Sequence, residues 1–232
     1  MASTTAENAT EFLVRVHAGS VIVEGNLDIP PAAGGIVLFA HGSGSSRHSP
    51  RNRFVAQSLR EHGLATLLVD LLTAEEEKVD VRSAHLRFDI PLLAERLVGV
   101  TDWLSGDPRT EDLEIGCFGA STGAAAALVA AAERPTAVKA VVSRGGRPDL
   151  AGDALKRVRA PTLLIVGGDD EPVIGLNRMA LAELQMEDKR LVIVPGATHL
   201  FEEPGALEEV ARLASEWFAQ HLQGHANKKA SP

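Results

Sequence analysis

Residues 113–133, LEIGCFGASTGAAAALVAAAE, join a short apolar run to an alanine-rich stretch through a turn that contains Gly119, Ser121 and Gly123 in GxSxG spacing. The apolar run predicts a buried strand, and the alanine-rich stretch predicts a helix. Small residues are needed between them because the backbone bends sharply there. This unit predicts that Ser121 is a nucleophile at the start of a helix, whose N–H groups face a developing oxyanion. The alternative is a Gly/Ser turn that only caps the helix.

Similar units extend in both directions from this stretch. Short Val/Ile/Leu-rich runs alternate with longer amphipathic stretches, which predicts βαβ units and an α/β fold with a mostly parallel sheet and helices on both faces. Alternating apolar and polar residues predict an opening antiparallel pair at 12–17 and 20–29. We expect six further strands, at 35–40, 65–71, 113–118, 137–142, 161–166 and 190–194, and helices at 50–62, 90–104, 122–133, 176–184 and 207–222. The polar stretch 73–87 is too long for a tight turn, and we expect it to carry part of a site rim.

The composition limits the possible classes of function. The chain has 232 residues, is 45% hydrophobic and 23% charged, and carries a net charge of −8. We expect one domain over residues 1–232, with frayed tails at 1–10 and 224–232. The negative charge argues against binding to nucleic acids or anionic membranes. The start has no basic and apolar leader, and no apolar stretch is long enough for a membrane span, so we expect a cytoplasmic protein.

A serine nucleophile needs a base, and the chain offers eight histidines. His199 follows the strand predicted at 190–194, at the carboxyl edge where ligands gather in open α/β sheets. His41 also ends a predicted strand, but it precedes Gly42, Ser43 and Gly44, and we expect it to shape that turn. We therefore choose His199 as the base and expect the other histidines to be structural or solvated.

The base needs a carboxylate that holds its tautomer and stabilises the imidazolium. Asp169 and Asp170 both follow the strand predicted at 161–166. We choose Asp170, because the spacing from Asp170 to Val173 leads the chain from the turn into the next helix. Asp169 is the alternative.

An oxyanion hole needs one N–H from the residue after the nucleophile and another from the loop after an earlier strand. These requirements assign Thr122 and Ser43, with Gly44 as a substitute for Ser43. Neither HxH nor HExxH spacing occurs, and Cys117 is the only cysteine, so we expect no metal.

Four motifs in this order carry a resemblance to a known family: HGSGSS at 41–46, GASTGA at 119–124, LLIVGGDDEPV at 163–173 and VPGATHLFEEPG at 194–205. The chain resembles small α/β-hydrolases of the dienelactone-hydrolase-like group from about residue 12 to 222. The order Ser121, Asp170, His199 is also that of α/β-hydrolases. The resemblance implies an α/β-hydrolase fold, this triad, and hydrolysis of esters or lactones through an acyl-enzyme without a cofactor. Similar hydrolase domains also occur beside phosphoribosyltransferase domains, for which this chain has no room.

One departure affects the expected substrate. The namesake enzymes of the group use a cysteine nucleophile, whereas serine stands at that position here, and Cys117 lies four residues earlier in the predicted strand. We therefore expect a carboxylesterase that acts on small-molecule esters. A lactonase of the dienelactone type or a thioesterase would use the same triad. A non-catalytic ligand-binding protein of this fold is the alternative from another class.

Two features bear on the pocket. Only a short stretch separates residues 142 and 161, so we expect no lid domain and a site that suits short acyl groups. Arg144 follows the strand predicted at 137–142 and lies at the same edge as the triad, where a guanidinium could bind a substrate carboxylate. The alternative for Arg144 is an ion pair with a loop acid such as Asp149 or Asp153.

Overall fold

The computed structural model describes residues 10–222. Of the tails expected at 1–10 and 224–232, only Thr10 belongs to this range, and it is the first residue of a strand rather than part of a tail. The other tail residues lie outside the described part of the chain.

One eight-stranded sheet forms the centre of the fold, in the order β1-β2-β4-β3-β5-β6-β7-β8. β1 and β2 pair in antiparallel fashion and β2 joins β4 in the same way, whereas β3 to β8 are parallel. The strands are β1 (Thr10–Ala18), β2 (Val21–Ile29), β3 (Gly35–Ala40), β4 (Ala65–Val69), β5 (Glu114–Ala120), β6 (Val138–Arg144), β7 (Thr162–Gly167) and β8 (Lys189–Val194). The predicted fold class, a mostly parallel sheet with an antiparallel N-terminal pair, is confirmed.

Helices cover both faces of this sheet. They are α1 (Pro50–Glu61), α2 (Ala74–Ser83), α3 (Ile90–Leu104), α4 (Thr122–Glu133), α5 (Glu171–Glu183) and α6 (Ala206–His221), with 3-10 segments at Leu86–Phe88 and Pro148–Arg157. α1 and α6 pack together on one face, and α3 and α4 pack together on the other. Every residue of β3, β4 and β7 is buried. This double cover explains why those strands appear in the sequence as continuous apolar runs.

The stretch 73–87, in which no helix was predicted, contains α2. Thr73 caps this helix: its Oγ1 accepts from the Glu76 N–H at 3.2 Å, while Glu76 Oε2 accepts from the Thr73 N–H at 2.7 Å. This reciprocal pair is a capping box, which stabilises a helix start without an apolar face. Ala84 ends the helix in the left-handed region, at φ 51°. Apolar periodicity missed α2 because the helix is polar, but the Thr73-x-x-Glu76 spacing indicates it.

The connection from β6 to β7 is short. Residues 145–161 contain only the 3-10 segment Pro148–Arg157, which packs on α4 and α5. This described stretch therefore holds no lid domain, as its length predicts.

No helix within residues 10–222 is long and apolar enough to cross a membrane. No group of three or more histidine, cysteine or acidic side chains in the range is placed to hold a metal ion.

Candidate active site

Ser121 stands in a strained turn between the central strand β5 and helix α4. Its backbone has φ 51° and ψ −122°, a conformation that residues with a side chain rarely adopt. The Ser121 N–H donates to the Arg144 carbonyl at 3.3 Å, and the Ser121 carbonyl accepts from the Arg147 N–H at 3.1 Å. These two bonds tie the turn to the end of β6 and hold a partly exposed serine at the carboxyl edge of the sheet.

Asp170 and His199 meet at the same edge. His199 Nδ1 lies 2.6 Å from Asp170 Oδ2, and the imidazole side chain is 39% exposed whereas the carboxylate is 13% exposed. A carboxylate accepts a hydrogen bond, so Nδ1 carries the proton and Nε2 is left free to act as a base. Asp169 is exposed, and its backbone N–H donates to the Ala197 carbonyl at 3.0 Å. The structure thus brings Asp170, rather than Asp169, to the histidine.

Two glycines let neighbouring loops approach these side chains. A Cβ at Gly42 would lie 2.9 Å from Ser121 Cβ, which no ordinary packing allows. A Cβ at Gly145 would lie 3.0 Å from the His199 carbonyl oxygen and 3.6 Å from His199 Nδ1. The loop after β3 therefore packs directly on Ser121, and the loop after β6 packs directly on His199. The structure thus brings Asp170 and His199 into direct contact and places Ser121 at the ends of the neighbouring strands β5 and β6.

Ser43 and Thr122 lie in the two segments that flank Ser121. Ser43 belongs to the turn after β3, which the Ser45 N–H closes by donating to the Gly42 carbonyl at 3.2 Å. Thr122 is the first residue of α4, so its N–H has no acceptor within the helix. The side chain of Thr122 is buried, and its Oγ1 has no hydrogen-bond partner among the described residues. The turn and the helix start can therefore both present backbone donors at Ser121.

His41 fixes the turn after β3. Its Nδ1 lies 2.9 Å from the Gly42 carbonyl, and its Nε2 lies 3.1 Å from the Leu71 nitrogen. The carbonyl requires a proton on Nδ1, so Nε2 accepts from the Leu71 N–H and the ring is neutral. Burial lowers the pKa of His41, although the Gly42 carbonyl, Asp70 and Glu77 act in the opposite direction. The imidazole therefore connects the turn to the segment after β4, which agrees with the shaping role expected for it.

Arg144 is a buried cation without an acidic partner. Its residue exposure is 7%, and neither Nε nor Nη1 has a hydrogen-bond partner among the described residues. Burial, together with the nearby charge of Arg51, lowers the pKa of Arg144 to about 10. The expected alternative of an ion pair with Asp149 or Asp153 is not formed: these acids pair with two loop cations that are nearer in sequence, Arg147 and Lys156.

Phe201 holds the Arg144 guanidinium from one side. Its ring centroid lies 6.0 Å from the guanidinium carbon, within the range of a cation–π contact. Phe201 is buried at φ 56°, two residues after His199. The loop that carries the histidine is therefore anchored on the arginine through an aromatic ring in a strained backbone conformation.

Cys117 is 1% exposed, inside β5. Burial raises the pKa of its thiol to about 12, so the sulfur is protonated at neutral pH. A protonated, buried thiol is a poor nucleophile. Cys117 thus packs as a small apolar residue, as its position in the strand predicts.

Arg87 lies beside the two residues expected to form the oxyanion hole, and no sequence motif indicates it. Arg87 lines a narrow crevice together with Ser43 and Thr122, and Asp80 holds Arg87 through an ion pair. The polar stretch 73–87 was expected to carry part of a site rim, and Arg87 lies there. However, nothing in the sequence distinguishes Arg87 from the exposed Arg82.

Comparison with known proteins identifies the relatives of the chain. The model of the dienelactone hydrolase family matches residues 24–223. A protein of Mycobacterium tuberculosis strain H37Rv, which carries the provisional name phosphoribosyl transferase, is 61% identical over 211 residues. That match covers 91% of this chain and 46% of the relative. The chain thus spans about half the length of these curated relatives.

Solved structures are similar over most of the chain. A dienelactone hydrolase from Anabaena variabilis ATCC 29413 is 66% identical, with a TM-score of 0.91, and the match covers 93% of this chain and all of that one. XC6422 from Xanthomonas campestris, described as an α/β serine hydrolase without a lid, is 19% identical with a TM-score of 0.71, over 94% of this chain and 97% of that one. The second similarity concerns the fold alone.

The buried His41 predicts a pH dependence of stability. The unfolded imidazole takes up a proton near pH 6.5, whereas the folded one does so only at lower pH. The stability linked to this difference is therefore present above pH 6.5 and lost as the pH falls, with a slope of at most about 1.4 kcal/mol per pH unit. Denaturant unfolding from pH 7.5 to 5 is expected to show a steeper loss for the wild type than for His41→Asn. His221, whose pKa burial also lowers, titrates in both proteins. Parallel curves would contradict the prediction.

Proposed function

The chain belongs to the dienelactone hydrolase family, and from this membership we propose that it is a serine hydrolase that cleaves carboxylic esters of small or short-acyl substrates. The observation that carries the proposal is the 2.6 Å contact between Asp170 and His199 at the sheet edge where Ser121 stands. A serine hydroxyl is a weak nucleophile at neutral pH, and an oriented imidazole is the group that activates it.

The proposed reaction begins with attack of Ser121 Oγ on the ester carbonyl, while His199 Nε2 takes the hydroxyl proton. Asp170 keeps the imidazole in the required tautomer and stabilises the imidazolium that forms. The negative oxygen of the tetrahedral intermediate accepts from the N–H groups of Ser43 and Thr122. His199 then gives its proton to the leaving alcohol, which leaves an acyl-serine. A water molecule, activated by the same histidine, hydrolyses the acyl-serine and restores the hydroxyl.

Short acyl groups are proposed because the site has little cover. The connection after β6 contains a single 3-10 segment over residues 148–157, and the His199 side chain is 39% exposed. Long acyl chains usually need an extended apolar wall. Faster turnover of long-chain esters than of acetate or butyrate esters would contradict this part of the proposal.

Lactone hydrolysis is the second candidate reaction. It is favoured by the 66% identity with a protein described as a dienelactone hydrolase, and the same three side chains would open a cyclic ester. Thioesters would also fit this chemistry, and a non-catalytic binding protein is the alternative from another class. The provisional phosphoribosyl transferase name belongs to a relative of which this chain covers 46%. The proposal for this chain rests on residues inside the matched hydrolase region.

We further propose that Arg144 binds an acidic group on the substrate. A buried guanidinium with two unpartnered nitrogens is costly to maintain, and a carboxylate is the group that best offsets the cost. Because Arg144 is next to the Ser121 turn in the sheet register, a carboxylate bound there would belong to a substrate already held at the nucleophile.

Replacement of the nucleophile tests the reaction class. Ser121→Ala is expected to abolish ester turnover and covalent labelling by a fluorophosphonate, because no other hydroxyl shares its position between β5 and α4. Intact mass spectrometry should find one adduct on the wild type and on the control Ser105→Ala, and none on Ser121→Ala. Circular dichroism checks that all three proteins are folded. A folded wild-type protein without an adduct would overturn the assignment.

The two neighbouring acids give a matched comparison. Asp170→Asn is expected to lower kcat/KM on the order of 10²- to 10⁴-fold, because an amide in place of the carboxylate no longer holds the proton on His199 Nδ1. Asp169→Asn removes the same charge from an exposed side chain and should change kcat/KM by about threefold or less. Initial rates with a short-chain p-nitrophenyl ester measure both effects. The opposite order would transfer the role to Asp169.

Arg144→Gln tests the acidic substrate. For a monoester of succinic acid, kcat/KM should fall by about ten- to a hundredfold, since a charged hydrogen bond is lost. For the neutral butyrate ester of similar length, kcat/KM of Arg144→Gln should hardly change. An equal fall for both esters, accompanied by a lower Tm, would indicate that Arg144 only supports the fold.

A further inference from the structure

A narrow crevice lies behind the turn that follows β3. Its walls come from this turn, the segment after β4, the start of α4 and the stretch 73–87, and Ser43, Gly44, Thr122 and Arg87 are among its lining residues. The space measures about 10 Å³, which is room for about one oxygen atom. Both residues proposed to donate backbone N–H groups to the oxyanion therefore border the same small space as a guanidinium.

Arg87 is held in place by Asp80, which is fully buried. Arg87 Nε donates to Asp80 Oδ2 at 2.5 Å, and Arg87 Nη2 donates to the Asp80 carbonyl at 2.9 Å. The N–H groups of Leu86 and Arg87 donate to Asp80 Oδ1 at 2.6 and 3.3 Å. Burial raises the pKa of Asp80, but the hydrogen bonds from Arg87 and Leu86 outweigh it and lower the pKa. The carboxylate is thus ionised, and the guanidinium has one fixed orientation.

The third guanidinium nitrogen, Arg87 Nη1, is directed to the turn after β3. A Cβ placed on Gly44 would lie 3.3 Å from it, and no residue in the range 10–222 accepts a hydrogen bond from this nitrogen. Thr122 lines the same crevice, and its Oγ1 is buried without a hydrogen-bond partner within residues 10–222. Glu77 lines the crevice too, but the ion pair of Arg87 is with Asp80. The lining of the crevice therefore includes a partly exposed charged donor and a buried hydroxyl that has no protein partner in this range.

We propose that Arg87 is a charged part of the oxyanion site, and that Nη1 stabilises the negative oxygen of the tetrahedral intermediate held by Ser43 and Thr122. This inference rests on the proposed ester hydrolysis. A cation held in a fixed direction beside the developing negative charge stabilises that charge without having to reorganise during the reaction. Asp80 is a positioning residue, because it sets the direction of the guanidinium.

Three variants separate this role from support of the fold. Arg87→Gln removes the charge and the donor. Arg87→Lys keeps a cation that neutralises Asp80, but its single ammonium cannot pair with Asp80 and also supply a donor at the position of Nη1. Arg82→Gln removes the same charge from an exposed position on α2 and serves as the matched control.

Three quantities are measured for each variant: the rate constant of fluorophosphonate labelling, the Ki of phenylboronic acid and the Tm. Phenylboronic acid forms an anionic tetrahedral adduct with a serine. Labelling and boronate affinity should both fall by about ten- to a hundredfold in Arg87→Gln and Arg87→Lys. Arg87→Lys should keep a Tm near that of the wild type, and Arg82→Gln should match the wild type in all three measurements.

The outcomes distinguish the inference from the proposed function. If Arg87→Lys is labelled and binds the boronate as the wild type does, the proposed role of Arg87 is overturned, because Arg87 would then only neutralise Asp80. The proposed hydrolysis would not be affected by this result. Absence of an adduct on the folded wild-type protein would overturn the proposed hydrolysis, and this inference with it.

Discussion

The turn at Ser121 is the constraint on which the site depends. Ser121 has a backbone conformation of positive φ that the surrounding structure must enforce, and β5, α4 and the two hydrogen bonds to Arg144 and Arg147 enforce it. Gly42 approaches the turn closely because it has no side chain. Since the parallel strands all end at one edge, Asp170 and His199, which follow β7 and β8, lie at the same edge of the sheet as the serine.

The electrostatics of this edge differ from those of the whole chain. The net charge is −8, yet the crevice and the strand end beside Ser121 carry two arginines with unused donors, Arg87 and Arg144. The fold holds them differently: Arg87 is fixed by the buried Asp80, whereas Arg144 lies against the ring of Phe201 and pairs with no acid in the described part of the chain. Reactions that develop negative charge, or substrates that carry it, suit a site with this distribution.

How far the sequence predicted each element depends on what holds that element in place. α3 and α4 were predicted with the bounds that they have, because apolar spacing and alanine content determine them. α2 was missed, because it is polar and its start is stabilised by the Thr73–Glu76 capping box. β3 has the predicted bounds, whereas several other strand ends were off by one or two residues: β5 continues to Ala120 and β4 stops at Val69, since ladder hydrogen bonds to neighbouring strands define where a strand ends.

The sequence by itself determined the order of the strands and of the helices other than α2, and the placement of Ser121, Asp170 and His199 after strands, because local periodicity and turn chemistry carry that information over a few residues. Only the tertiary structure decided which charged side chains form ion pairs. Asp149 pairs with Arg147, so that Arg144 has no acidic partner within residues 10–222, and Asp80 pairs with Arg87 rather than with Arg82. Such partnerships depend on burial and distance between segments far apart in the chain, and the energy of a charge depends on both.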